Sequence, residues 1–490
     1  MVLDELSAGI PGSRLHSRRP AGGTTEITGI VYRADRAAPG AMFACLRGAR
    51  ADGHDFAAAA VERGASALLV ERPLALDVPQ LEVPDGRLAM ALLAAAIEGN
   101  PSRVLDVVGV TGTNGKTTSA FLLHAVLEAA GRRCGLVGTI EARVGGRVEP
   151  VTHTTPESVD LQRLLARMRD AGDTACAMEV SSHALAQRRV AGIRFAAALF
   201  TNLTRDHLDY HADVEEYYLA KRRLFMRPQE EGPNPPGAAN LDDEFGRRLA
   251  AEASALGFAV DRDADVRPLD VCNSRTGFRA RFVTPRGPFD LESRLRGRFN
   301  VSNVAGVVAV GELLELPHEA VARGIASVAG VPGRFEPVDA GQPFEVLVDY
   351  AHTPDSLQNV LREARKLVPE GRRLIVVFGC GGDRDRGKRP QMGGIARGLA
   401  DVAIVTSDNP RTEDPDAIIA EIVAGAQAGP AELVVEPDRR AAIALAAGRA
   451  AAGDVVVVAG KGHERGQERN GVVSPFDDRE VTREVLEAIA

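Results

Sequence analysis

The sequence predicts an α/β protein of three domains: a smaller α/β domain over residues 1–100, a central α/β domain with a phosphate-binding loop over 101–331, and a Rossmann-like α/β domain over 332–490. Three observations carry that expectation. A chain of 490 residues is too long for one hydrophobic core. From residue 101 onward, short apolar runs recur, and each empties into a polar motif, the habit of parallel strands whose carboxyl ends carry the ligand-binding loops. One such run, Val104 to Val110, ends in a glycine turn, TGTNGKTT, followed by a helix starting near Lys116.

That turn is a phosphate cradle. Backbone N–H groups of Gly112, Thr113, Asn114, Gly115 and Lys116 converge where the positive end of the next helix also points. Lys116 adds a mobile charge, and the Thr117 hydroxyl, followed by Thr118, suits a phosphate-bound magnesium. The spacing departs from G-x-x-x-x-G-K-[ST], because Val110 stands six before Lys116. The competing reading is a plain strand-to-helix turn, but small polar side chains and two glycines pack poorly and cradle well.

Composition narrows the class. A net charge of −8 lacks the basic footprint of nucleic-acid binding, so anionic ligands need local positive sites. MVLDELSAGIPGSRLHSRRP has no apolar core of signal-peptide length, and no later run reaches the roughly 18 apolar residues of a membrane span, which points to the cytoplasm. Five scattered cysteines, Cys45, Cys134, Cys176, Cys272 and Cys380, form no C-x-x-C pair and are expected to be ordinary buried thiols of a reducing compartment.

In chain order, residues 1–100 alternate apolar runs (Ile27 to Tyr32, Ala41 to Leu46, Ala67 to Val70) with helical stretches (Phe56 to Arg63, Arg87 to Glu98) and show no catalytic cluster. Asn100-Pro101-Ser102-Arg103 reads as a boundary. In the central unit, the run Ala175 to Val180 leads into Glu179-Val180-Ser181-Ser182-His183. The run Phe195 to Leu203 leads into Asp206-His207-Leu208-Asp209-Tyr210-His211. Glu179 and His207 become candidate magnesium ligands, direct or through water; singly, each also fits a buried salt bridge or a core histidine. Asn300 and Asn303 sit at i, i+3 on one helix start, where they face one ligand or cap the helix.

The last unit predicts strands at Glu345 to Asp349, Leu374 to Phe378, Val402 to Val405, Leu433 to Val435 and Val455 to Ala459. Thr353-Pro354 and Asp414-Pro415 mark helix starts. The strand-end motifs are DYAHTP from Asp349, GCGGDRDRGKRP from Gly379, SDNPR from Ser407 and GKGHE from Gly460. Arg384 and Arg411 beside Asp383, Asp408 and Glu464 suit a zwitterionic ligand; for Lys388 and Arg389 a solvated rim is the expectation.

TGTNGKTT, EVSSHAL, TNLTRDHLDYH, GRFNVSN, PGRFE, DYAHTPDS, GCGGDRDRGKRP, SDNPR and GKGHE, in this order over most of the chain, resemble the Mur ligases of peptidoglycan synthesis. The resemblance implies an N-terminal domain for the UDP end of the substrate, a central ATPase domain and a C-terminal domain for the incoming amino acid. It implies an ATP- and Mg2+-dependent ligase that phosphorylates the carboxylate of UDP-N-acetylmuramoyl-L-Ala-D-Glu and joins meso-diaminopimelate to it as an amide. A cytoplasmic monomer that acts on small molecules, without nucleic acid or membrane insertion, is expected.

Residue by residue, it implies catalytic roles for Lys116, Lys221 and His207, and ATP contacts from Gly112 to Thr118, Asn300, Arg334, Asp349 and His352. Thr117, Glu179, His207 and Lys221 would surround the metal, Lys221 as a carbamate. His153, Thr154, Thr155, Pro156, Ser181, Gln187 and Arg189 match the muramoyl-dipeptide site; Arg384, Asp408, Asn409, Pro410, Arg411, Gly460 and Glu464 match the diaminopimelate pocket. Arg33-Ala34-Asp35 stands where many relatives carry Asp-Ser-Arg, which removes a hydroxyl expected near the uridine. The rival readings are an L-lysine-adding homologue, a folylpolyglutamate synthase-like ligase and a nucleotide-dependent switch.

Overall fold

The computed structural model describes residues 1–16, 24–48, 51–208, 210–274 and 276–489; Asp209 of the DHLDYH motif lies outside the described residues. Three β-sheets flanked by helices follow one another along the chain. The first has five strands in the order Arg14–His16, Gln80–Glu82, Ala67–Val70, Ala41–Ala44, Gly29–Val31, parallel except for the Arg14–His16 edge. Ala34–Arg36, at the departure from the family pattern, forms a 3-10 turn whose neighbour Arg33 pairs with Asp35 at the surface.

The central sheet has eight strands. The phosphate-loop strand Asp106–Thr111 lies between Ala175–Glu179 and Phe195–Phe200, parallel to both. Gly237–Asn240 and Leu256–Phe258 extend one side and Cys134–Val137 the other, where Ala142–Val144 and Arg147–Glu149 add antiparallel edges. The inner strands, Cys134–Val137, Ala175–Glu179, Asp106–Thr111 and Phe195–Phe200, are buried on both faces, which is why they read as apolar runs. Helices Lys116–Ala129, Arg298–Leu313 and His318–Ser327 cover one face, together with a three-stranded meander over Arg267–Ser274, Gly277–Val283 and Phe289–Ser293. Because the three middle strands run the same way, the loops after Thr111, Glu179 and Phe200 open at one edge.

The last sheet orders Glu336–Pro337, Glu345–Asp349, Val455–Ala459, Leu374–Phe378, Val402–Val405 and Glu432–Val435; all are parallel except the first. Its helix starts are capped as the sequence predicts: Thr353 accepts from Ser356 N in a capping box, and Asp414 accepts from Asp416 N. A hairpin, Gly466–Arg469 with Val472–Pro475, stands over the loop after Val405.

Two surface expectations are corrected. Cys272 is exposed, because its strand Arg267–Ser274 is covered on one side only, whereas Cys45, Cys134, Cys176 and Cys380 are buried. Arg389 is no solvated rim residue: its guanidinium is 0% exposed and held by Glu413 and Glu421 at 2.8 and 2.9 Å. The two carboxylates supply the counter-charge that burial of an arginine requires. Among the described residues, no helix is long and apolar enough to cross a membrane.

Candidate active site

Gly115 turns the phosphate loop into its helix at φ 86°, and a Cβ there would strike the Asn303 amide oxygen, so the position needs glycine. The loop bounds a cavity of about 570 Å³ reaching across to the C-terminal sheet. Thr113, Asn114, Gly115, Lys116, Thr117 and Thr118 line it, with Glu179, His207, Lys221, Arg334, Asp349 and His352. Gly112 does not line it, and its carbonyl is occupied: Lys116 Nζ donates to it at 2.9 Å and Lys221 Nζ at 2.7 Å.

Two lysines on one carbonyl concentrate positive charge at the loop, with Glu179 and Asp206 on the same cavity wall. Burial pushes the Lys116 ammonium below the usual lysine range, against the pull of Glu179 and Asp206. Lys221 is fully buried and lies well below that range, through burial first and then the Lys116 charge. Its ammonium also rests over the Tyr217 ring at 4.5 Å. Nearby, Thr117 Oγ1 donates to Glu179 Oε2 at 3.0 Å and accepts from Arg334 Nη2 at 3.0 Å. Glu179 also accepts from Thr139 N at 2.7 Å.

His207, held at φ 55°, is pushed down to about 4 by burial against the opposing charge of Asp206, so it is neutral near pH 7. Burial also pushes the Asp349 carboxyl up to about 6, although it accepts from Phe335 N and Ala351 N at 2.7 Å each.

His153, Thr154, Thr155, Ser181 and Arg189 line the same cavity; Gln187 does not. Arg189 Nη2 donates to Gln187 Oε1 at 2.8 Å, which makes Gln187 a support for the guanidinium rather than part of the wall. Ser181 Oγ caps the helix Ser182–Ala186 by accepting from Ala184 N. Asn300 is likewise off the wall: it donates to Arg296 O at 2.7 Å and accepts from Asn303 Nδ2 at 3.0 Å, so Asn303 is the asparagine that faces the loop.

A second cavity, about 670 Å³, is lined by Arg384, Asp408, Asn409, Arg411, Gly460 and Glu464; Pro410 does not line it. Arg411, at φ 52°, donates from Nη1 to Gly382 O at 2.6 Å, and its main chain bonds to Glu468 O in the hairpin. Gly460, at φ 119°, lets Asp408 approach: a Cβ would lie 2.6 Å from Asp408 Oδ2. The two cavities share His183, Asp206, His207, Tyr350, His352 and Asp355.

Several wall residues escaped sequence reasoning. Asp355 Oδ2 accepts from Asn114 Nδ2 at 3.0 Å and from Thr204 Oγ1 at 3.1 Å, tying the phosphate loop to a helix 241 positions away. Asn202 Oδ1 accepts from Asn114 N at 2.9 Å. Only the position of Asp355 just inside a predicted helix start and of Asn202 at a strand end hinted at them.

Three family descriptions match the chain in order: "Mur ligase family, catalytic domain" over residues 26–98, "Mur ligase middle domain" over 110–311, and "Mur ligase, glutamate ligase domain" over 333–462. The chain belongs to the Mur ligase family. Two relatives named UDP-N-acetylmuramoyl-L-alanyl-D-glutamate--2,6-diaminopimelate ligase come from Solibacter usitatus and Geobacillus thermodenitrificans. The first is 48% identical over 94% of each chain, the second 44% over 99% of each. A solved structure of a ligase of that name is 34% identical over 94% of this chain and 95% of its own, with a TM-score of 0.68. A Mur ligase complexed with ADP from Thermotoga maritima, 20% identical at a TM-score of 0.63, shares the fold.

Mur ligase chemistry implies magnesium, and the residues present fit it. Glu179 and Thr117 offer hard oxygen donors 3.0 Å apart beside the loop. Gly138 keeps their surroundings open, since a Cβ there would come within 2.7 Å of Glu179 Oε1. Magnesium bound with phosphates needs only one or two protein carboxylates, and among the described residues no group of three or more His, Cys, Asp or Glu is placed to hold a metal ion by itself.

Proposed function

We propose that this Mur ligase joins meso-diaminopimelate to UDP-N-acetylmuramoyl-L-Ala-D-Glu at the expense of ATP, as a cytoplasmic monomer in peptidoglycan precursor synthesis. The domain assignment goes with it: residues 1–100 for the UDP end, 101–331 for ATP and 332–490 for the amino acid. One observation carries the reading: the phosphate-loop cavity and the Arg411 cavity share a wall, so a carboxylate activated in one meets an amine held in the other.

A carboxylate resists amines until one of its oxygens becomes a leaving group. Its oxygen attacks the γ-phosphorus of ATP, ADP departs, and an acyl phosphate forms. The amine then attacks the acyl carbon, loses a proton, and phosphate leaves with the former carboxylate oxygen. Bringing two anions together requires neutralisation, which falls to Lys116, Arg334 and the loop N–H groups. Magnesium, when bound, supplies Lewis-acid charge neutralisation at the phosphates. Thr117, Glu179, His207 and Lys221 are the residues that would hold it.

Lys221 suits that place only as an anion. Its amine, whose pKa burial lowers well below the usual lysine range, adds to carbon dioxide, forms an N–C bond and loses a proton, giving a carbamate. Thr154, Thr155, Ser181 and Arg189 are assigned to the dipeptide end, and Asn303 takes over the ATP contact expected of Asn300. Burial works against the Asp206 charge, yet the His207 backbone N–H and the nearby Lys116 help hold its carboxyl below the usual carboxylate range, and it offers the incoming ammonium an anion on the shared wall.

Incubation with ATP and the UDP-linked dipeptide, with meso-diaminopimelate, L-lysine or L-glutamate as acceptor, tests the reading. Phosphate and amide should appear together with meso-diaminopimelate. Phosphate without amide would favour a nucleotide switch, and equal use of lysine or glutamate would favour the other ligases.

A further inference from the structure

Lys461, in the GKGHE motif, is 0% exposed, yet it lies beside the second cavity without lining it. Its Nζ donates to Asn409 Oδ1 at 3.0 Å and to Glu464 Oε2 at 3.2 Å, and stands 4.0 Å from Asp408 Oδ1. Asn409 Nδ2 donates to the same Glu464 oxygen at 2.7 Å, which closes a triangle. The amide has only one sensible orientation, because Glu468 N also donates to Asn409 Oδ1, at 3.0 Å. Glu464, by contrast, keeps 31% of its side chain exposed.

We infer that Lys461 is a positioning residue for the amino-acid acceptor: it fixes the Glu464 carboxylate and the Asn409 amide so that Glu464 faces the acceptor's ammonium group at a set angle. The inference rests on the proposed acceptor site and adds to it a residue that never touches the substrate. The charges support this. Arg411 is countered by Glu468 at 3.5 Å, while one buried ammonium stands among two carboxylates, Asp408 and Glu464. That corner therefore keeps a net negative charge for an ammonium ligand. Without Lys461, Glu464 and Asp408 would repel each other, and Asn409 would lose one of the two donors that orient its amide.

Lys461→Met keeps the apolar stem and removes the cation; Lys461→Gln keeps a donor without the charge. Steady-state kinetics with meso-diaminopimelate, ATP and the UDP-linked dipeptide, together with a thermal melt, decide the matter. Both variants should raise KM for meso-diaminopimelate at least about tenfold. KM for ATP should stay within about twofold and kcat within a few fold. In a Glu464→Gln background, adding Lys461→Met should raise that KM little further, because Lys461 acts through Glu464.

An unchanged KM for meso-diaminopimelate, a parallel rise of all Michaelis constants, or loss of folding in both variants would overturn the inference and mark Lys461 as structural. Wild-type enzyme that makes no amide with meso-diaminopimelate would instead overturn the functional reading beneath it.

Discussion

The two cavities solve opposite electrostatic problems. At the phosphate loop, Lys116 and Lys221 share the Gly112 carbonyl, and burial lowers both of their pKa values, so an anionic ligand placed against them would stabilise their charged forms. At the proposed acceptor pocket, most charges are paired beforehand, Arg411 with Glu468 and Lys461 with Glu464, while Asp408 leaves one surplus anion. On the proposed reading, the first receives a polyanion and the second a zwitterion. Charge deletions should therefore act on turnover in the first site and on selectivity in the second.

Lys116→Ala gives the sharpest test. It should lower ATP turnover by about 10²–10³-fold with a melting temperature near wild type, since the ammonium donates its hydrogen bonds to the loop carbonyls of Gly112 and Thr113. A folded variant with normal turnover would remove the loop from the chemistry. Lys221→Ala should cost about 10²-fold in kcat. In parallel, 13C-labelled carbon dioxide should give a carbamate resonance in the wild type and none in the variant. An active wild type without that signal would end the carbamate proposal.

Arg411→Ala should act differently. Meso-diaminopimelate differs from lysine by a distal carboxylate, which a guanidinium reads as a charge-assisted pair. The kcat/KM preference for meso-diaminopimelate over L-lysine should fall at least about 30-fold, with ATP parameters little changed. An unchanged preference would mean that this loop does not select the acceptor.

A smaller effect concerns stability. His207 and His463 are pushed down to about 4 and about 3, chiefly by burial, so below the ordinary histidine value of 6.5 the unfolded chain binds protons that the folded chain refuses. Their contribution is intact above pH 6.5 and is lost as pH falls towards 4 and then 3. Asp349 works the other way, holding its proton up to about 6 when folded, so one opposing group partly offsets two. The ligand-free melting temperature should fall between pH 7 and pH 5; a rise would show that the carboxylates dominate.

How far the sequence could be read depended on what each residue meets. Strands Glu345–Asp349, Leu374–Phe378, Val402–Val405 and Val455–Ala459 coincide with their apolar runs, because burial on both faces leaves no polar interruption. The antiparallel meander was missed although Phe278, Ala280 and Phe282 alternate with Arg279 and Arg281, a two-residue period in plain view. Motif spacing located Glu179 and Arg411, but it could not show that Asn300 only supports Asn303. Asp355 and Lys461 reach their places through contacts 241 and 52 positions apart, which no local pattern encodes.

On the proposed reading, the two cavities form one reaction centre. UDP-N-acetylmuramoyl-L-Ala-D-Glu labelled with 18O in the reacting carboxylate of its D-Glu, incubated with ATP and meso-diaminopimelate, tests it most directly. One 18O should pass into the released phosphate for each amide formed, because the carboxylate oxygen attacks phosphorus and leaves with it. Unlabelled phosphate, or phosphate released without amide, would show that the two cavities do not act as one centre.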